Sequence, residues 1–282
     1  MLVNKKFTII PFASSLQEEL LDILSTGPIN GTDLLLQISK KIPISKQGLY
    51  KALRQLLQEE IVIKEKTLFS LNKVWLSRFK NFIESSEQNY GLILPILNKA
   101  NNQRKVITFK NTEALDIYWG HLFLSLAETF KNKPFFFFNH HSLFIHERPQ
   151  SELYLFEISI KNKLKIALTL GNDTPAAQKL KRNFSRDNFQ IAIDDKLSVI
   201  RTDNFCIIDD YFITTRYSEK TTKEIDLLFK KTSSFGEEEK KELHRILANC
   251  KNPKIIITKN KKKAKTWKRR LAKNFVFKKS EL

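Results

Sequence analysis

Residues 38–71 read ISKKIPISKQGLYKALRQLLQEEIVIKEKTLFSL, and the fold turns on how they divide. Pro43 closes one apolar run, because proline disfavours a helical conformation in the residue before it. Ser45 then offers an N-cap for a helix running to about Glu59. On that helix Leu49, Ala52, Leu53, Leu56 and Leu57 form one stripe, while Lys46, Gln47, Tyr50, Lys51 and Arg54 lie away from it. The segments IVIKE and LFSL follow, separated by Lys66 and Thr67, a gap short enough for a β-hairpin. Upstream, Leu16, Leu20, Ile23 and Leu24 share a helical face, capped by Ser14 or Ser15 and ended by Gly27 and Pro28. Asn30, Gly31 and Thr32 start a second helix, whose apolar positions are Leu34, Leu35 and Ile38. The order is helix, helix, turn, helix, hairpin. A winged helix-turn-helix has that order, and so does a plain helical bundle with a hairpin.

Cation placement separates the two. A recognition helix needs an apolar side against its own domain and polar or cationic side chains near its N-terminal end, where they meet base edges. On helix 45–59 the residues so placed are Ser45, Lys46, Gln47, Tyr50, Lys51 and Arg54, and on a wing over 61–71 Lys64 and Lys66 would meet phosphates. The partner expected from this pattern is double-stranded DNA.

The segment SKQGLYKALRQLLQEEIVIKE resembles the recognition helix and wing of the TrmB- and MarR-like winged-helix regulators. The shared features are a capping serine, an aromatic-bearing helix, a leucine pair and a β-branched strand. Glu60 departs from the pattern, since such proteins often place glycine there to end the helix in a left-handed residue. On this point the helix is expected to run on slightly.

The rest of the chain is long enough for a second domain, since 282 residues is about twice a typical domain. Gly and Pro are scarce, at 7 and 8 copies, which argues against long linkers. Asn101, Asn102 and Gln103 mark the expected boundary, after a helix near 73–88 with Trp75, Phe79, Phe82 and Ile83 on one face. That face suits packing on the winged domain or on a second subunit. The expected division is 1–73 for the winged helix-turn-helix, 74–104 for a connecting or dimerisation helix and linker, and 105–282 for an α/β domain.

From residue 105 strands and helices alternate. Strands are expected at 106–109, 134–139, 165–171, 189–193, 197–200, 205–208, 211–215 and 254–258, with PFFFFN (134–139) read as a buried strand. Helices are expected at 112–130, after Asp173 with Pro175 in an early position, at 221–230, at 236–249 and over the final KKAKTWKRRLAKNF. Residues 150–162 fit a helix or a strand. The fold class is α/β (α+β overall), an N-terminal winged helix-turn-helix followed by a C-terminal α/β sheet domain.

The stretch LSVIRTDNFCIIDDYFITT resembles, faintly, the strand-turn-strand that carries the HxKxxxxD motif of phospholipase D-like proteins. In TrmB-type regulators a sensor domain related to phospholipase D follows the winged domain. With Asp209 as the motif's aspartate, Thr202 stands at the histidine position and Asn204 at the lysine position. Phosphodiester chemistry needs the histidine as nucleophile and the lysine to hold the phosphate. The resemblance therefore implies a fold kept without catalysis, for sensing a small-molecule or protein effector. No enzymatic activity, no cofactor and no metal are expected.

Other chemistry-bearing residues are weaker. His140, His141 and His146 follow the phenylalanine strand, at the mouth expected for a site in an open α/β sheet. Their spacing with Glu147 lacks a metal-ligand pattern, which makes them polar loop residues or a pocket lining. Glu157 and Lys161 have the wrong spacing for a nuclease ExK pair, and Asp194, Asp195, Asp209 and Asp210 read as turn formers. Cys206 and Cys250, without CxxC spacing, suit a reducing cytoplasm. The longest apolar run, Phe135–Phe138, is far too short for a membrane span, and the N-terminal MLVNKKFTIIPF too short for a secretory signal. The chain is expected to be cytoplasmic, away from membranes and homodimeric.

Net charge is +19, unevenly distributed. Residues 1–86 carry 12 basic and 8 acidic side chains, 87–250 carry 24 and 21, and 251–282 carry 13 and 1. The C-terminal helix places Ala264, Trp267 and Leu271 on one face and Lys265, Lys268, Arg269 and Arg270 on the others. Such a field draws polyanions without sequence preference. Three functions compete on these grounds: a DNA-binding transcriptional regulator, a winged-helix-targeted nuclease, and a non-specific nucleoid or RNA-binding protein.

Overall fold

The computed structural model describes residues 15–90, 104–232 and 235–276. The caps and boundaries placed on Ser14 and on 91–103, and Phe277 of the tail, lie outside them. The chain divides into two compact units, Met1–Ile93 and Leu94–Leu282.

The first unit runs α1 (Ser15–Ser25), β1 (Ile29–Asn30), α2 (Gly31–Ser39), α3 (Lys46–Gln58), β2 (Val62–Glu65), β3 (Leu68–Leu71) and α4 (Lys73–Tyr90). Its core is the set the helical spacing implies: Leu20, Ile23 and Leu24 of α1, Leu34 and Ile38 of α2, Leu49, Ala52, Leu53 and Leu56 of α3. Val62 and Phe69 close it from the hairpin. Asn30 caps α2 by accepting from Asp33 N–H at 2.9 Å, and Ser45 caps α3 by accepting from Gly48 N–H at 3.1 Å. β1 is only two residues long, too short to show a period, yet it adds a third strand by pairing Ile29 with Phe69. The arrangement is a winged helix-turn-helix.

α3 does not run on past Glu59. Glu60 takes a left-handed φ of 58°, Glu60 N–H bonds to Leu57 C=O at 3.1 Å, and Ile61 N–H bonds to Leu56 C=O at 3.0 Å. Those paired bonds are a Schellman stop, the geometry for which glycine is usual. Asn72 locks it by donating from Nδ2 to Glu60 C=O at 2.7 Å. The expected extension is corrected: the backbone keeps the glycine conformation without the glycine.

The second unit contains β4 (Arg104–Thr108), α5 (Thr112–Thr129), β5 (Phe135–Asn139), α6 (Leu143–Glu147), α7 (Pro149–Lys161), β6 (Ile166–Leu170), α8 (Pro175–Phe184), β7 (Phe189–Ile193) and β8 (Asp203–Ile208). Then follow β9 (Tyr211–Arg216), α9 (Glu219–Lys231), α10 (Glu237–Ala248), β10 (Lys254–Lys259), α11 (Lys261–Leu271) and a 3-10 turn (Ala272–Asn274). One seven-stranded sheet has the order β4-β10-β9-β8-β5-β6-β7. β5, β6 and β7 are parallel, and the remaining neighbours are antiparallel.

Both faces of the sheet are covered, which explains the unbroken phenylalanine run. Phe135 packs on one face with Leu122, Leu126, Ile166 and Cys206, under α5. Phe136 and Phe138 point to the other face, with Phe205, Ile207 and Phe212 under Ala264 and Leu271 of α11. Residues 150–162 resolve as helix α7. The strand expected at 197–200 is absent: Leu197 and Val199 pack on the α11 side of the sheet, Ile200 is exposed, and the segment pairs with no strand. Among the described residues no helix is long and apolar enough to cross a membrane.

Candidate nucleic-acid interface

α3 turns Leu49, Ala52, Leu53 and Leu56 into the core and leaves Lys46, Gln47, Lys51 and Arg54 exposed. Its 13 residues include no acid, and Lys46, Lys51 and Arg54 have no hydrogen-bond or ion-pair partner among the described residues. Contrast Lys41, whose ammonium is held by Glu19. An unpartnered cation on a rigid helix is fully available to an anion. The positive end of the helix dipole, at Ser45 and Lys46, adds to that field.

Two of the sequence-marked residues have structural duties. Tyr50 is not on the outward face: it is half-buried, edge-on to Phe69 with ring centroids 6.3 Å apart. A Cβ on Gly31 would sit 2.4 Å from the Tyr50 hydroxyl oxygen, so the start of α2 is shaped around this ring. Tyr50 thereby ties recognition helix to wing. The Ser45 hydroxyl accepts from Gly48, which makes it first a cap. On the hairpin, Lys64 lies over the Phe69 ring, 5.5 Å from its centroid, and Lys66 makes the turn with a left-handed φ of 54°. Lys64 and Lys66 are exposed, side by side with Glu65.

A polar cluster occupies the second unit at the C-terminal ends of β5 and β6. His140 N–H donates to Asn204 Oδ1 at 2.8 Å, and Asn172 Nδ2 donates to His140 C=O at 2.9 Å. His141 Nε2 meets Asp226 Oδ1 at 2.8 Å, and Arg201 Nε donates to the other oxygen of Asp226. Burial pushes the Asp226 carboxyl up, but the bonds from His141 and Arg201 outweigh it and hold it below the usual carboxylate range. His146 stacks on Phe235 at 3.9 Å, and burial lowers its imidazole to about 4. Asp226, Arg201 and Asn172 carried no signal in the sequence, because 85 residues separate Asp226 from His141.

The positions matched to the phospholipase D-like motif do not converge. Thr202 and Asn204 lie at the start of β8, while Asp209 makes the turn at its far end with a left-handed φ of 47°. Five residues of strand separate Asn204 from Asp209 by about 16 Å. Asn204 spends its carbonyl on the His140 backbone, which gives it a structural part. Glu157 and Lys161 both lie on the exposed side of α7.

No family model and no curated protein matches the chain. Among solved structures it overlaps TrmBL2, described as an archaeal chromatin protein with a novel mode of DNA binding, at 9% identity and a TM-score of 0.32, covering 93% of this chain and 92% of that one. It also overlaps NucT from Helicobacter pylori at 9% identity and a TM-score of 0.34, covering 62% of this chain and 98% of that one. Neither overlap is close enough to bear on function.

Proposed function

We propose that the protein is a DNA-binding transcriptional regulator whose α3 enters the major groove and whose β2–β3 hairpin rests on the backbone. The observation that carries this reading is the outward face of α3: Lys46, Gln47, Lys51 and Arg54, exposed, with their three cations unpartnered among the described residues, on a capped helix without acids. A plain bundle helix has no need of such a face. Lys51 and Arg54 are the base-edge candidates, since long cationic side chains can pair with guanine, and Lys64 and Lys66 are the backbone candidates. The second unit is read as a non-catalytic sensing module. In support, the motif positions that would need an imidazole and an amine hold Thr202 and Asn204, and Asn204 is engaged with backbone.

A homodimer fits the same reading. α4 exposes Phe82 at 65% and Ile83 at 39%, beside the stacked pair Trp75 and Phe79, and no residue described in its own unit covers them. A dimer would offer two recognition helices to half-sites about one DNA turn apart.

Genome-wide occupancy of the tagged protein tests the proposal. Discrete sites that vanish with Lys51→Ala and Arg54→Ala are expected, whereas even coating of the genome, or sites unchanged in those variants, would overturn it. Cleavage of DNA by the purified protein with divalent metal would contradict the non-catalytic part.

A further inference from the structure

The second unit holds a cavity of ≈ 120 Å³ between the sheet and helices α5 and α7. Its walls are largely apolar, with Trp119, Phe137, Leu155 and Phe189 among them. Two polar groups on it are unusual. The carboxyl of Glu152 lies deep in the unit and lines the cavity, with no hydrogen-bond or salt-bridge partner among the described residues. The one nearby guanidinium, Arg148, is spent on Asp116 at 2.7 Å. The second group is the His141 ring. Its Nε2 faces the Asp226 carboxylate, which can only accept, so that nitrogen carries the hydrogen. In the neutral ring Nδ1 is then a bare acceptor, and it is buried without a partner.

An apolar chamber that presents two acceptors and supplies neither lacks a donor, and the least costly occupant brings hydrogens and positive charge together. We infer that this cavity binds a small aliphatic primary amine, its ammonium paired with the Glu152 carboxylate and its carbon chain against Trp119, Phe137 and Leu155. His141 Nδ1 is a further acceptor on the same cavity. Because an apolar cavity slightly larger than this one holds benzene, the chain length that fits is about four or five carbons. The site stands independently of DNA binding, and only the claim that its occupant is the effector rests on the sensing role proposed above.

The charge state supplies a signature. Burial, with Asp116 adding to it and Arg148 opposing it, raises the Glu152 carboxyl to about 8. At neutral pH it is protonated, and an incoming ammonium must displace that proton. Amine affinity therefore rises by close to a factor of ten per pH unit up to about 8 and then levels. Asp116 and Arg148 are the charged groups facing Glu152, and the Tyr217 phenol, raised by burial, stays neutral throughout. Asp116 itself titrates near 6, so the slope is read above that.

The test is calorimetry and thermal unfolding of the full chain with butylamine, butanol and butyrate as probes, on wild type, Glu152→Gln and Glu152→Asp. Butylamine is expected to bind and raise the unfolding temperature, butanol to bind at least about tenfold more weakly, and butyrate not at all. Glu152→Gln should erase the preference for the amine, and Glu152→Asp should keep it. No binding of butylamine at tens of millimolar, equal binding of butanol, or a preference that survives Glu152→Gln each overturns the site. Butylamine that binds but leaves DNA affinity unchanged overturns the effector role and leaves the site standing.

Discussion

Glu60 is the residue at which chemistry and backbone disagree. A left-handed φ of 58° suits glycine, and an L side chain there is strained, by about 1 kcal/mol. The exposed pairing with Arg78, at 3.7 Å, returns little, because surface ion pairs are worth tenths of a kcal/mol. Glu60→Gly is expected to stabilise the first unit by about 0.5–1 kcal/mol in urea unfolding, the loss of strain outweighing the extra freedom of the unfolded chain. The position was legible from the sequence as a helix stop; the residue type concealed it, since only the carbonyl bonds of Leu56 and Leu57 and the Asn72 clamp declare the geometry. Glu152 gives the opposite kind of prediction. Its folded carboxyl is raised to about 8 from a model value of 4.5, so between those values the folded state binds more protons than the unfolded one. Stability contributed by the protonated form is complete below pH 4.5 and falls as pH rises towards 8. Glu152→Gln should therefore be more stable than wild type at pH 8, by about 2–5 kcal/mol, and flatten the decline across that window. Nothing in the sequence distinguished Glu152 from the other acids of its helix, because burial is a property of packing.

At the scale of elements, the helices announced themselves where caps and period agreed. Asn30, Ser45, Asn111, Thr174 and Ser218 all accept a backbone N–H at the start of their helices. Ser45→Ala should cost about 0.5–2 kcal/mol and weaken DNA binding with it, because α3 must hold Lys46 and Gln47 in its first turn; denaturant midpoints and binding isotherms read the two effects together. Elements without period were harder. β1 has two residues, and α7 was ambiguous because its apolar residues are only half-buried against one side of the sheet. LSVI at 197–200 has the composition of a strand, but both edges of the sheet are taken by β4 and β7, and it lies over the face beside α11. Composition chooses what is buried; the available sheet edge chooses what is a strand. α4 carries the remaining elemental prediction. Phe82→Glu with Ile83→Glu places charge on an apolar face that this unit leaves open, and should convert a dimer to monomer in sedimentation without lowering helix content. A sedimentation profile unchanged by the pair would remove α4 from the dimer seam.

On the scale of the whole molecule the question is where the excess charge acts. The last 32 residues were visible in the sequence as the basic end of the chain, with 13 cations and 1 acid, but the sequence did not say that this segment is also core. α11 buries Ala264 and Leu271 completely on the sheet, with Trp267 edge-on to Phe205, while Lys261, Lys262, Lys265, Arg269 and Arg270 are exposed. Removing residues 259–282 would strip that face of the sheet and confuse loss of charge with loss of fold. Lys262→Gln, Lys265→Gln, Arg269→Gln and Arg270→Gln leave the apolar side intact and remove only charge. Lysines in the first turn of α11 oppose the helix dipole, and that turn contains no acid to relieve them, so an external polyanion is their natural complement. If α11 lies on DNA phosphates, each lost contact lowers the slope of log K against log salt by about 0.9, and the four substitutions together by about 3–4. Preference among sequences should be unchanged, because phosphates are the same at every site. Lys51→Ala with Arg54→Ala should do the reverse, lowering the slope by about 2 at most while flattening sequence preference by about 1–3 kcal/mol per lost base contact. The two variant sets thus assign affinity and selectivity to different units of one chain. Equal slopes for wild type and the α11 variant would leave those cations as a solvated surface and place all DNA contact on the first unit.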